Sequence, residues 1–349
     1  MTISKAICSV GIFGLLISTL VFPASANAAS FPGRNGQIAF SKEQNGSTSI
    51  WSLDSDGADK RELAKAAKEP VWSPSGSKVA FIDTKTGNDQ LKLMNADGTN
   101  QRDPARGQSS NESSLAWSAD GSQVAFVRTE PTHGNTVRSA VMVINVHSSI
   151  ERNVSGWMRG GMYGSPSWSP DGAKVIYEKN DGTQRELIIA QLRTGIKNKL
   201  VTLSDNVDSH VSWSPSGKKI LYSDTSNEVY TIWTDGSHRA VISDGDSYDA
   251  SWSPDGKQIA FLEDRNGDEI SISQEDGTVI QLPIQKETYR SVGAPVWSPD
   301  GTKLAFTLLY SDGTTQVSDI FTRDLRSEDA TITWLASGNL QQLNWQAVR

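Results

Sequence analysis

A tryptophan–serine–turn block recurs along this chain, and it admits few architectures. The pattern Trp-Ser-x-x-Gly occurs at Trp72–Gly76, Trp117–Gly121, Trp168–Gly172, Trp213–Gly217, Trp252–Gly256 and Trp297–Gly301, and three copies read WSPDG. A degenerate seventh Trp stands at Trp345. Successive Trp residues are 45, 51, 45, 39, 45 and 48 positions apart. A repeat of this length marks a stack or ring of one supersecondary unit.

The unit is a β unit. Shortly after each Gly comes a β-rich run ending in an aromatic, as in Val79-Ala80-Phe81, Val175-Ile176-Tyr177 and Leu304-Ala305-Phe306, and Ile38-Ala39-Phe40 is a further copy without a preceding Trp. A third strand follows, often closed by Asp-Gly, as at Asp97-Gly98 and Asp235-Gly236. A weaker fourth strand precedes the next Trp. In WSPDG the Pro presets φ at the second turn position and the Gly suits the fourth. Four short antiparallel strands per repeat predict an all-β fold, a β-propeller of seven blades with six as the alternative. The aromatic-ended strands and the Trp strands are out of phase by one. The ring is therefore expected to close by the Trp345 strand joining the blade begun by Ile38–Phe40, which removes exposed sheet edges.

The first thirty residues read as an address. Lys5 precedes an apolar run from Ala6 to Phe22, Pro23 ends it, and Ala26-Asn27-Ala28 suits a signal peptidase. The run is about 17 residues, at the short limit for a spanning helix. Residues 1–28 are read as a signal peptide and 31–349 as a single propeller domain, exported to the periplasm or the exterior with no membrane span after cleavage. Cys8, the only Cys, lies inside the leader, so disulfides and cysteine zinc sites are excluded. With 33 basic against 40 acidic side chains, the net charge of -7 leaves no basic surplus for nucleic acid or anionic membrane.

These repeats resemble the TolB-type WD40-like propeller repeats of bacterial envelope proteins, and also those of prolyl-oligopeptidase-type peptidases. The resemblance covers essentially the whole chain after the leader and implies the propeller fold. TolB itself carries a separate α/β domain before its ring, and here the repeat begins within about ten residues of the expected cleavage point. The peptidases carry an α/β-hydrolase domain for which this chain has no room. The resemblance implies a fold and does not fix a function, which must be argued from the site.

Catalytic signals are sparse. No G-x-S-x-G nucleophile elbow occurs. His133, His147, His210 and His238 fall at different places in the repeat, and only His210 lies on a Trp strand, whereas a metal site needs converging ligands. The run Asp264-Arg265-Asn266-Gly267-Asp268-Glu269 resembles the start of a calcium loop. Its Gly comes one place early and the twelfth-position Glu is displaced, so a hairpin is the preferred reading and no cofactor or metal is assigned. Seven of the eleven Trp residues belong to the repeat and read as packing. Trp51, Trp233 and Trp334 also read as packed, whereas Trp157 lies in the Gly-rich loop Ser155–Tyr163, the longest insertion between repeats.

Taking the Trp strand as innermost, the residues just before each Trp should rim the channel mouth. The candidate binding residues are Glu69, Glu112, Trp157, Arg159, Tyr163, Asp208, His210, Tyr248, Asp249, Tyr289 and Arg290, with no catalytic residue assigned. Tyr and Arg are enriched at binding hot spots. The expected function is an exported, non-catalytic module, a monomer holding a protein or peptide partner in the mouth, with a glycan as a further possibility. The alternative is a secreted polysaccharide lyase or hydrolase that uses mouth carboxylates as acid and base.

Overall fold

The computed structural model describes residues 31–104, 110–133, 136–204, 210–224, 228–243, 247–264, 268–274, 277–282, 284, 289, 291–311, 316–327 and 331–348. All named elements are β-strands, joined antiparallel into a ring. A typical unit runs from Asn111–Trp117 to Gln123–Pro131, then Val137–Asn145 and Glu151–Asn153, each strand pairing with the next. Its Trp strand is innermost, as the repeat predicts.

The repeated turn explains why the sequence folds this way. The Ser after each Trp uses its backbone N–H to reach the carbonyl five residues on, as from Ser169 to Lys174 at 3.0 Å, while the turn Gly N–H returns to the Ser carbonyl. The Ser169 hydroxyl accepts from the Lys174 N–H at 2.9 Å and donates to Asp171 at 2.5 Å. Ser118, Ser253 and Ser298 make the same pair of bonds with Asp120, Asp255 and Asp300. The Ser and Asp side chains of this short sequence thus take up two backbone N–H groups of a tight reversal, those of Ala173 and Lys174 in this copy.

Neighbouring units are tied through the tryptophans. The indole N–H of Trp117 donates to the Val71 carbonyl, that of Trp168 to Ala116 and that of Trp297 to Ser251, at 3.0–3.2 Å. Each acceptor is the residue just before the preceding Trp. The rings themselves fill the space between sheets, Trp72 and Trp297 being fully buried.

The blade count requires correction. Seven, or alternatively six, equivalent four-stranded blades were expected. Among the described residues, five sheets of three to five strands stand as separate blades, and the rest of the ring is a single eight-stranded sheet. The cause is the 17-residue strand Ile332–Val348. Its first part pairs with Gln316–Asp324, and its second part pairs with Arg34–Gln44, with Trp345 opposite Ile38. The chain passes from an outer edge to an inner position without a break, at Gly338, so the sheet that begins the ring and the sheet that ends it are one. The Trp72 N–H donates to the Asn344 side chain at 2.6 Å and fastens this sheet to the next. Among the described residues no helix is long and apolar enough to cross a membrane.

Candidate functional site

Antiparallel alternation gives the ring two faces. The WSPDG and Asp-Gly turns lie on one, the turn face; the loops leading into the Trp strands and the hairpins between second and third strands lie on the other, the rim face. Just inside the rim the Trp strands carry a bulge. Glu69, Ser114, Asp249 and Gln342, each three residues before its Trp, hold left-handed φ values of 56°, 60°, 53° and 56°. The strand register slips there in each case. A non-Gly residue in this region costs about 1–3 kcal/mol and persists only where its surroundings enforce it.

The enforcing contacts run from blade to blade. The Gln342 carboxamide oxygen accepts from the Glu69 N–H at 3.0 Å and from the Ser41 hydroxyl at 2.7 Å. The Glu69 carboxylate accepts from the Ser114 N–H at 3.1 Å. Farther round, His210 Nε2 lies 3.2 Å from the Asp249 carboxylate. The bulge positions thus form a polar belt. Burial pushes the Glu69 carboxyl above its ordinary value, against the pull of the Ser114 N–H and the Lys68 ammonium.

Glu112 is 3% exposed and accepts from the Leu91 N–H at 2.7 Å and from two nitrogens of Arg128 at 2.6 and 3.0 Å. Arg128 also grips Glu151 at 2.6 and 2.9 Å. Burial pulls the Arg128 guanidinium down, but its bonds to Glu151 and Glu112 outweigh it and hold the group above its usual value. Glu69 and Glu112 therefore work as joints between blades, with their carboxylates turned into the protein.

The Ser155–Tyr163 loop is different. Trp157 is 38% exposed and Met162 66%, and the Arg138 guanidinium lies 4.2 Å from the Trp157 ring while its own charge pairs with Glu130. Arg159 is exposed, paired across the hairpin with Arg138. The loop is pinned rather than loose: the Tyr163 hydroxyl donates to the Gly156 carbonyl, Lys197 donates to the Ser155 carbonyl, and Ser139 to that of Gly161. Tyr163 stands edge-on to Tyr177 with ring centres 5.5 Å apart. Tyr248 and Tyr289 are half-buried against the cluster around Trp297 and Phe306. Asp208 and Arg290 lie outside the described residues, as do residues 265–267 of the calcium-like hairpin.

Two expectations about tryptophan are corrected. Trp233 and Trp334 are exposed, Trp334 donating to Asp319, because they sit at the end of a strand and on an outer strand where no neighbouring sheet covers them. The sequence reading also missed Arg138, whose place opposite Arg159 emerges only from the hairpin register, and Phe31, which lines the channel from outside the repeat. That channel holds a cavity of about 290 Å³ walled by Trp117, Trp168, Trp213, Trp252 and Trp297 together with prolines and serines. Among the described residues no three His, Cys, Asp or Glu side chains gather as a metal site would require.

The TolB beta propeller domain, as a family model, matches residues 75–291, more than half of the chain. The chain belongs to this family. Among TolB-type relatives, the protein TolB homolog of Chlorobium luteolum is 28% identical over 161 residues, which are 45% of this chain and 35% of that one. The chain thus matches about a third of that relative's length. The structure of TolB from Acinetobacter baumannii superposes with a TM-score of 0.56 at 16% identity, covering 89% of this chain and 82% of the other. An oligogalacturonate lyase in complex with manganese superposes at 0.61 with 13% identity, covering 86% and 85%. Both likenesses are of fold alone. A fold shared by TolB and a lyase does not choose between binding and catalysis, so the site's own chemistry must.

Proposed function

We propose that this TolB-type propeller is an exported, non-catalytic binding module that holds a protein or peptide partner on its rim face. The observation that carries this reading is the division of labour among the rim side chains. The carboxylates best placed for acid–base work, Glu69 and Glu112, are buried and engaged in joints between blades. The exposed groups are instead Trp157, Met162 and Arg159 on a pinned loop, a rigid aromatic and cationic surface of the kind that anchors protein partners. Tyr163, His210, Asp249, Tyr248 and Tyr289 complete the proposed surface as partly buried supports. Asp208 and Arg290 remain assigned to it from the sequence. Export rests on the leader read in residues 1–28.

The test is affinity capture from envelope and culture-fluid extracts of the host. Wild-type protein is compared with a Trp157→Ala/Arg159→Ala/Met162→Ala variant, whose changes remove exposed side chains only. A partner captured by the wild type and lost by the variant supports the reading. Turnover of a polysaccharide panel by the wild type, with divalent metals supplied, would overturn it in favour of a lyase or hydrolase.

A further inference from the structure

The turn-face end of the channel holds two residues that do not belong to the repeat. Phe31 and Pro32 line the cavity beside the five tryptophans, and Phe31 packs against the cluster that includes Val71 and Trp117. The residues that follow strap them in place. The Gly33 N–H donates to the Pro299 carbonyl at 3.2 Å, and the Asp300 N–H donates to the Asn35 side-chain oxygen at 3.2 Å. Both contacts fall on the WSPDG turn of Trp297–Gly301, so the segment crosses that turn and delivers an aromatic ring into the channel. The passage is close, since a Cβ on Gly33 would sit 3.1 Å from the Val348 carbonyl oxygen and 3.3 Å from the Ala347 Cβ.

The channel wall suits what it holds. Its side chains are indoles, prolines, small apolar groups and serines, with no charge among them. Three buried polar groups on its lining residues, the Ser212 hydroxyl and the Trp213 and Trp252 indole N–H groups, have no hydrogen-bond partner among the described residues. The volume left beside Phe31, about 290 Å³, exceeds the roughly 150 Å³ of an apolar cavity that accepts benzene. We propose that this end of the channel is a receptor for an extended peptide carrying an aromatic residue followed by proline, and that Phe31–Pro32 is its occupant in cis. Indole and pyrrolidine faces pack against aromatic and prolyl rings. A prolyl residue loses little freedom on binding. This site opens on the face opposite the rim, so it is distinct from the surface assigned to the partner above.

A segment added in trans must compete with one tethered a few residues from the site, whose effective concentration is of millimolar order. The peptide acetyl-Phe-Pro-Gly-Arg-Asn-amide is titrated against the full chain, read by calorimetry and by tryptophan fluorescence. The Phe31→Ala/Pro32→Ala variant is expected to bind it saturably and at least about tenfold more tightly than the wild type, because the competent fraction rises. The same peptide with Ala in place of Phe should bind neither. Absence of saturable binding to a double variant that melts cooperatively, or equal affinity for variant and wild type, overturns the proposal. Gly33→Ala is the second variant: it loosens the strap while leaving Phe31 and Pro32 in place, and it should raise the peptide's affinity part-way. Should the double variant fail to fold, no gain with Gly33→Ala overturns the proposal by itself.

Discussion

The Glu69 carboxylate accepts a hydrogen bond from the Ser114 backbone N–H at 3.1 Å, joining two blades through residues 45 positions apart in the chain. Both residues occupy the same place in the repeat and both have left-handed backbones. At Glu69 and at Ser114 the bulge N–H is taken up by a polar side chain from the neighbouring bulge, that of Gln342 and of Glu69 respectively. Strain and joint therefore support each other around the channel.

Glu69 gives this joint a pH dependence of definite sign. Its folded-state pKa is raised by burial above the unfolded value, so the folded state binds its proton more readily. Stability from this group is fully present below the ordinary carboxylate range and declines as pH rises through the folded value. Glu69→Gln keeps an acceptor for Ser114 and removes the buried charge. The variant should therefore gain stability on the wild type at pH 8, and the gain should shrink as pH falls toward 5. Thermal melts across that range check it; a gain that grows on acidification would contradict it.

The Glu112–Arg128–Glu151 cluster should respond asymmetrically. Arg128→Met strands the buried Glu112 carboxylate and should cost about 3–5 kcal/mol in denaturant unfolding. Adding Glu112→Gln to that variant should recover a substantial part, since the stranded charge is then gone. Additive losses in the double variant would show that packing, and not the unpaired charge, sets the cost.

Ring closure should be sensitive at Trp345 and tolerant at Trp334. Trp345 is buried, pairs opposite Ile38 and donates to the Gly36 carbonyl at 3.3 Å. Trp345→Ala should cost about 3–5 kcal/mol. Trp334 lies on the same strand but is 54% exposed, and Trp334→Ala should change stability by less than about 1 kcal/mol. Equal effects of the two changes would refute the packing described for this strand.

Gly76 should be equally intolerant for a different reason. It has φ +68° and lies against the Ala347 carbonyl oxygen, where the last strand of the chain meets the first WSPDG-type turn. Gly76→Ala adds a Cβ where both the backbone conformation and the neighbouring strand oppose it. It should lower the melting temperature clearly. Gly172→Ala has a similar φ but open space around its Cβ, and it should lower it less.

The repeat was legible because its chemistry is local. Ser169, Asp171 and Gly172 close their own turn, so the sequence carries the whole instruction, and the Trp strand's inner place follows from it. The blade count was not legible, because nothing in residues 332–348 marks that one strand serves two sheets; counting repeats assumes that each makes its own. Glu69 and Glu112 read as rim ligands because their repeat position is correct, but burial and partner depend on a neighbouring blade. A signal was available: Glu69, Ser114, His210, Asp249 and Gln342 all stand three residues before a Trp, and polar residues at a fixed offset in a closed ring point to one another. Trp157 was rightly singled out as the loop tryptophan, whereas Trp233 and Trp334 were taken for core because strand character says nothing about which strand lacks a cover.

The most direct test of the rim assignment is site-specific photo-crosslinking of the captured partner. A photoreactive phenylalanine analogue is placed at Trp157 on the rim face, and separately at Trp233, which is 41% exposed on a turn-face hairpin. A covalent adduct with the partner is expected from position 157 and none from position 233. An adduct from 233 alone would place the partner on the opposite face and overturn the rim assignment.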